Sequence, residues 1–362
     1  MEKISTHQFM TLGAAVLVGT TFLPIPSIVA AAGGRDGWMS VLPGFAAGIP
    51  FGLMVLSLME RYPEKNLLHI SETILGKWIG KLIGIIYILI SGYFGGLLLG
   101  QVGDVFQSSI MPLTPISAFL LGGLFLVCYL VLSGIEVFAR FSEVVFPLVV
   151  IALLLNVSLA VPRIEQGELL PILSEGLKPI FFAGIKVIPY SMNYILFIAG
   201  ILPFLPTSKQ ELSQLKAKLW RAVFLAGILD TLVALIELLV FGPTETVRLV
   251  YGLLALGKMV EISRTVSGVE SLFLVVWLGA LIIKIGSCFY VSIWGVETVF
   301  GIKGLKLNMA VGIIFLGIAY TFKGPALIQE IAFYNIYLSL PFTSVWIAAL
   351  WAAARWKKEP GV

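Results

Sequence analysis

Charge is scarce in this chain. Asp, Glu, Lys and Arg together make up 12% of its 362 residues, about half of the roughly 25% usual in a soluble domain. That shortage excludes an ordinary soluble fold. Histidine is scarcer still: His7 and His69 are the only two, both at the edges of apolar runs, and neither HExxH nor GxSxG occurs. The expectation is therefore a protein that is not an enzyme. The two cysteines, Cys128 and Cys288, lie in apolar stretches with no CxxC, so neither a disulfide framework nor a metal site is indicated, and no cofactor is expected. The net charge is only +4 and no basic run interleaves with aromatics, which leaves no footprint for nucleic acid. The first residues have a weak positive region and no small-residue cleavage motif before Pro24. They read as the start of a membrane span and not as a signal peptide.

What the chain has instead is apolar length. It is 59% hydrophobic and its mean hydropathy is +1.01. The 37 glycines lie within apolar runs, as in packed membrane helices. The pattern predicts an all-α polytopic membrane protein of ten spans, over 7–32, 38–60, 78–106, 115–134, 138–161, 179–203, 218–242, 267–297, 307–323 and 331–354. An even count puts both termini on one side. With the N-terminus in the cytoplasm, the inner segments hold fifteen of the 24 Lys and Arg residues, which matches the positive-inside bias. Two inner segments, 66–77 and 208–217, mix charge with leucine and isoleucine at helical spacing, as interfacial helices do; plain connecting loops are the alternative. The outer segment 245–262 has the same character.

The first run, 11–32, is interrupted by Gly19-Thr20-Thr21-Phe22-Leu23-Pro24-Ile25-Pro26. A bilayer core needs about 20 apolar residues in a helix, yet two prolines remove hydrogen bonds from the middle of this one. Lipid cannot satisfy the freed backbone groups, so the break belongs inside protein or beside a polar cavity. The sixth span has a comparable centre, Lys186-Val-Ile-Pro189-Tyr190-Ser191-Met-Asn193. Interrupted spans at matching places in two halves mark an inverted-repeat transporter with a midplane site. The halves are then 1–161 and 162–362, five spans each, within one membrane domain.

Candidate ligand-binding residues follow from the breaks. Gly19, Thr20, Thr21 and Phe22 offer backbone groups, hydroxyls and half-helix ends, the last suited to a carboxylate; a packed proline kink is the alternative. Tyr190, Ser191 and Asn193 place polar groups at mid-depth, where they line a cavity or bond between helices. In the third span Gly92, Gly96 and Gly100 form a small-residue stripe that suits tight helix packing, and Tyr93 and Leu97 beside it could form a wall of the site. Lys284 sits near the middle of the eighth span. A charge there costs about 2.5–3.5 kcal/mol on insertion scales, so it is functional or paired. It could stand in for a coupling cation, or pair with Asp230, which lies at similar depth in the seventh span. Both are candidates for coupling or gating.

With these residues placed, the chain resembles the permease-like B subunit of bacterial spore germinant receptors, in the amino acid–polyamine–organocation superfamily. The resemblance rests on Gly19-Thr20…Pro24, Asp36-Gly37-Trp38, Leu169-Leu170-Pro171 and Ile262-Ser-Arg264…Glu270-Ser-Leu-Phe-Leu-Val-Val-Trp277…Ile283-Lys284, in order along essentially the whole chain. It implies the LeuT-type five-plus-five inverted repeat with broken first and sixth spans, an inner spore membrane location, partner A and C subunits, and a germinant, usually an amino acid, as ligand. It also implies ligand contact by Gly19, Thr20 and Thr21 in the first span and by Tyr190, Ser191 and Asn193 in the sixth. Two departures stand out: Met192-Asn193 replaces the glutamate common in the sixth-span core, and the fifth span lacks the lysine of proton-coupled relatives. The function expected is a permease-like receptor subunit that binds a small germinant and signals through its partners. A proton-coupled amino-acid transporter is the alternative.

Overall fold

The computed structural model describes residues 3–259 and 269–356; the stretch 262–264 of the motif above lies outside them. The first span starts at α1 (Thr6–Thr21). Its N-cap Ser5 accepts from the Gln8 amide while the Gln8 side chain accepts from the Ser5 amide, a reciprocal cap that fixes the helix start. The helix stops where proline intervenes. In a continued helix Pro24 would have to donate to the Thr20 carbonyl and Pro26 to that of Phe22, and neither has an N–H. The chain turns through 22–24 and resumes as α2 (Ile25–Gly33), with Pro26 in its first turn. There the missing N–H is harmless.

A 3-10 turn, Gly34–Ser40, leads to α3 (Val41–Ala46) and α4 (Ile49–Arg61), then to a short helix α5 (Leu67–Leu75) and a long one, α6 (Lys77–Ser109). Next come α7 (Ile116–Leu132), α8 (Ile135–Ala160), α9 (Leu177–Ile201) and α10 (Lys209–Arg248). The helix α11 (Gly252–Met259) precedes α12 (Val269–Phe300), α13 (Leu305–Thr321) and α14 (Gly324–Phe333). A π-helical turn, Tyr334–Ser339, joins α14 to α15 (Leu340–Trp356). No strand occurs among the described residues.

Seven helical stretches there are long and apolar enough to cross a membrane, with two shorter apolar helices, α7 and α13. The count differs from ten partly because the first break leaves α1 only 16 residues long, while α2, the 3-10 turn, α3 and α4 run together as one stretch, Ile25–Arg61. The expected surface helix at 66–77 is present as α5. The one at 208–217 is not separate: Ser208 caps α10, and the helix runs from Lys209 without interruption through the expected span. A kink follows at Gly242, whose φ of 70° with Pro243 behind it ends the regular helix.

The sixth-span break is also overturned. α9 is helical from Leu177 to Ile201 with Pro189 inside it. One proline removes a single helical donor, whereas the first span loses two within three residues. Ser191 Oγ donates to the Ile188 carbonyl at 2.8 Å, and this local bond fits an unbroken turn.

The core is built around α1 and the second half of α9. Residues 11–21 and 189–201 are buried without exception, as expected of helices surrounded on all sides. α1 packs against α8, α10 and α12, and α2 against α9 and α10. At Gly19 an added Cβ would lie 2.6 Å from the Ala280 carbonyl oxygen, so only glycine lets α1 lie this close to α12. The glycine stripe of α6 serves the same purpose against α13: a Cβ at Gly96 would meet Ile318 at 2.5 Å, and one at Gly100 the Ala319 carbonyl at 3.2 Å. α7, α8 and α13 turn large apolar side chains outward, among them Phe125, Ile151 and Ile313.

Candidate functional site

The end of α1 carries two threonines, and consecutive residues on a helix point about 100° apart. Thr20 therefore faces α12 and Thr21 faces α10. Lys284 of α12, 1% exposed, donates from Nζ to Thr20 Oγ1 at 2.5 Å. Its ammonium also lies 5.7 Å from the centroid of the Phe94 ring, within range of a cation–π attraction. Thr21 Oγ1 lies 2.8 Å from Asp230 Oδ2 and 3.1 Å from the Leu17 carbonyl, and donates to them. The second carboxylate oxygen of Asp230 is buried with no partner. Lys284 and Asp230 form no ion pair within 4.0 Å. Each is instead tied to its own threonine, on faces of the first helix about 100° apart.

Lys284 borders a small cavity of about 20 Å³, with Val16 of α1, Phe94 of α6, Asn193 of α9, Ser287 of α12 and Tyr334 of the π-turn in its wall. A water needs about 10–15 Å³ measured this way, so the cavity admits a water-sized guest and nothing as large as an amino acid. Asn193 is fully engaged: Nδ2 donates to Asn335 Oδ1 at 2.7 Å, and Oδ1 accepts from Ser339 Oγ at 2.8 Å. Asn335 in turn donates to the Ile331 carbonyl at 2.6 Å. This network locks α9 to the π-turn. π-turns inside helices recur at functional sites, and this one places Tyr334 against Phe94 in a stacked pair, 4.2 Å between centroids.

The sequence-derived candidates divide accordingly. Asn193 and Lys284 line the cavity and Thr20 joins them through its bond to Lys284, whereas Thr21 and Asp230 pair on another face of α1, off the cavity wall. Gly19 serves the close packing on α12, and Phe22 is buried at the break. Leu97 is buried and lies off the cavity wall. Tyr93 donates to Glu330 Oε1 at 2.6 Å and borders a different, apolar crevice. Tyr190 is buried with its hydroxyl unpartnered, and Ser191 is committed to its own helix. Sequence reasoning misses Phe94, Ser287, Cys288, Tyr334, Asn335 and Ser339. Ser287 and Cys288 stand three and four residues after Lys284, hence on its helix face, and that spacing is the available signal. The polar pair Asn335 and Ser339, one turn apart in the last apolar run, is another.

Helices packed around an α1 that stops at a proline turn, with a buried lysine bonded to its last turn, and seven stretches able to cross a membrane among the described residues define a permease-like integral membrane protein. The fold is that of LeuT-like transporters. The solved structure of MhsT in complex with L-phenylalanine superposes with a TM-score of 0.75 over 99% of this chain and 91% of that one, at 15% identity. The chain belongs to the family described as spore germination protein, whose pattern matches residues 3–326. Among its relatives, spore germination protein YndE of Bacillus subtilis (strain 168) is 26% identical over 84% of this chain and 83% of its own. Spore germination protein KB of the same organism is 25% identical over 99% of this chain and 97% of its own.

Proposed function

We propose that this chain is the ligand-sensing, permease-like subunit of a spore germinant receptor, and that it binds a small amino acid at the first-span break. The observation that carries the reading is the bond from Lys284 to Thr20 beside the cavity. It puts a buried cation where the break frees backbone groups, and a charge at that depth is costly enough to imply a use. The MhsT structure holds an amino acid, and the family membership supplies the germination context. In this reading the chain has ten spans in two five-span repeats, 1–161 and 162–362. Both termini face the cytoplasm, the membrane is the inner spore membrane, and A and C subunits are the partners.

The cavity is too small for the ligand, so binding requires the surrounding helices to part. Ligand then favours the parted arrangement by its differential affinity for the two states, and partner subunits read the shift. Proton-coupled transport is the second reading, favoured by Lys284 reaching from α12 to Thr20 of α1, where a charge could be neutralised and restored.

The deciding experiment is binding of labelled amino acids to purified protein, wild type beside Thr20→Ala, with proteoliposome uptake followed in parallel. Saturable binding that the variant loses, without uptake, supports the sensor. Uptake driven by a pH gradient supports transport. Binding that Thr20→Ala leaves unchanged overturns the site.

A further inference from the structure

The end of the molecule at which α6 begins carries a cavity of about 600 Å³ lined by Lys65, His69, Lys77 and Lys81 together with Glu64 and Glu72. Lys65 reaches Thr73 Oγ1 at 3.4 Å. None of the three lysines has an ion-pair partner within 4.0 Å among the described residues, and they outnumber the two glutamates of the lining. Farther along the same helices lies a second cavity, of about 500 Å³ and almost wholly apolar, bordered by Ile88, Gly92, Val296, Ala310 and Ile314.

The two cavities are aligned. Lys77, Lys81, Ile88 and Gly92 are spaced by four, seven and four residues, which keeps them on one face of α6. Val299 borders the basic cavity, while Val296 and Ser292 border the apolar one; their spacing of three and four keeps them on one face of α12. The rise from Lys81 to Ile88 is about 10 Å. Beside the lysine row runs an exposed apolar row, Trp78, Leu82 and Leu89, of the kind that meets lipid. Ile314 is also exposed at the crevice, so the crevice opens to the same surroundings.

We infer that this paired groove is a binding site for one anionic phospholipid, with its phosphate among Lys65, Lys77 and Lys81 and an acyl chain in the α6–α12–α13 crevice. Basic pockets between membrane helices select anionic headgroups, and each methylene buried in the crevice adds apolar stabilisation. The crevice wall includes Tyr93, whose ring lies 6.4 Å from that of Tyr334, a residue of the central cavity. A bound chain would therefore sit two side chains, Tyr93 and Tyr334, away from the central cavity. The inference stands whether or not that site binds an amino acid.

The test is native mass spectrometry of the full-length protein titrated with phosphatidylglycerol or phosphatidylcholine, and with glycerol 3-phosphate as a soluble competitor. The expected result is retention of phosphatidylglycerol at least about fivefold above phosphatidylcholine, lost in Lys77→Glu/Lys81→Glu. Ala310→Phe fills the crevice and leaves every lysine in place. It should weaken lipid retention to a similar degree, and it stands as the test if the double variant does not fold. Equal retention of the two lipids, or retention unchanged by both variants, overturns the site. Displacement by glycerol 3-phosphate at the same concentration as lipid overturns the acyl-chain half and reduces the site to a phosphate pocket.

Discussion

Thr20 and Thr21 are adjacent in sequence, but the structure gives them unlike partners, a lysine and an aspartate. That makes the hydroxyl at each position the group to test. Thr20→Ser keeps it and Thr20→Val removes it at nearly constant volume. Ligand binding by purified protein should survive the first and weaken about tenfold or more in the second, since a hydrogen bond to a charged group contributes roughly 1.5–3 kcal/mol. Equal loss in both variants would show that shape and not the hydroxyl matters. Asn193 invites a stability measurement. Asn193→Ala strands Asn335 Oδ1 inside the protein and takes one partner from the Ser339 hydroxyl, at a cost of about 1–3 kcal/mol for the group left unpaired. The melting temperature in detergent should fall clearly, and an unchanged value would mean that water or a new partner replaces the amide. Lys284 is legible from sequence because a charge in an apolar run is conspicuous. Asn335 and Ser339 are not, because their meaning depends on a π-turn that side-chain pattern does not announce.

At the scale of elements, backbone chemistry separates what the sequence reveals from what it hides. Pro24 and Pro26 together deprive two carbonyls of donors, so the first break is legible in the residue order alone. Pro189 deprives one, and α9 absorbs it without opening. Pro189→Ala restores a helical donor and should leave the folded state at least as stable in thermal unfolding. If the sixth span unwinds in another state of the cycle, the same variant should reduce ligand response while stability holds. A drop in stability would instead show that the helix depends on the proline. Gly19→Ala tests the α1–α12 contact. Its Cβ would meet a backbone oxygen at 2.6 Å, and backbone cannot swing aside as a side chain can. A destabilisation of about 1–3 kcal/mol is expected, as for other overpacked cores, and full tolerance would mean that the two helices have slack.

For the whole molecule, the hydrophobic pattern locates the helices that cross the core, while surface segments are harder to place. The start of α10 has the amphipathic look of an interfacial helix because its first turns project beyond the apolar region, and composition alone cannot tell a projecting end from a separate element. The placement of both termini on the cytoplasmic side is open to direct measurement. Cysteines introduced at Ser5 and at the exposed Trp356, in a background lacking Cys128 and Cys288, should share the same reactivity toward a membrane-impermeant thiol reagent in right-side-out and inverted vesicles. Opposite reactivity would require an odd number of spans and a different pairing of the halves.

The turn at 22–24 separates α1 from α2 and thus gives α1 a hinge of its own. Thr20 and Thr21 point about 100° apart on one rod, so twisting α1 about its axis would part Lys284 from Thr20 and Asp230 from Thr21 in the same stroke. Whatever turns this helix therefore moves the partners of Lys284 and Asp230 together.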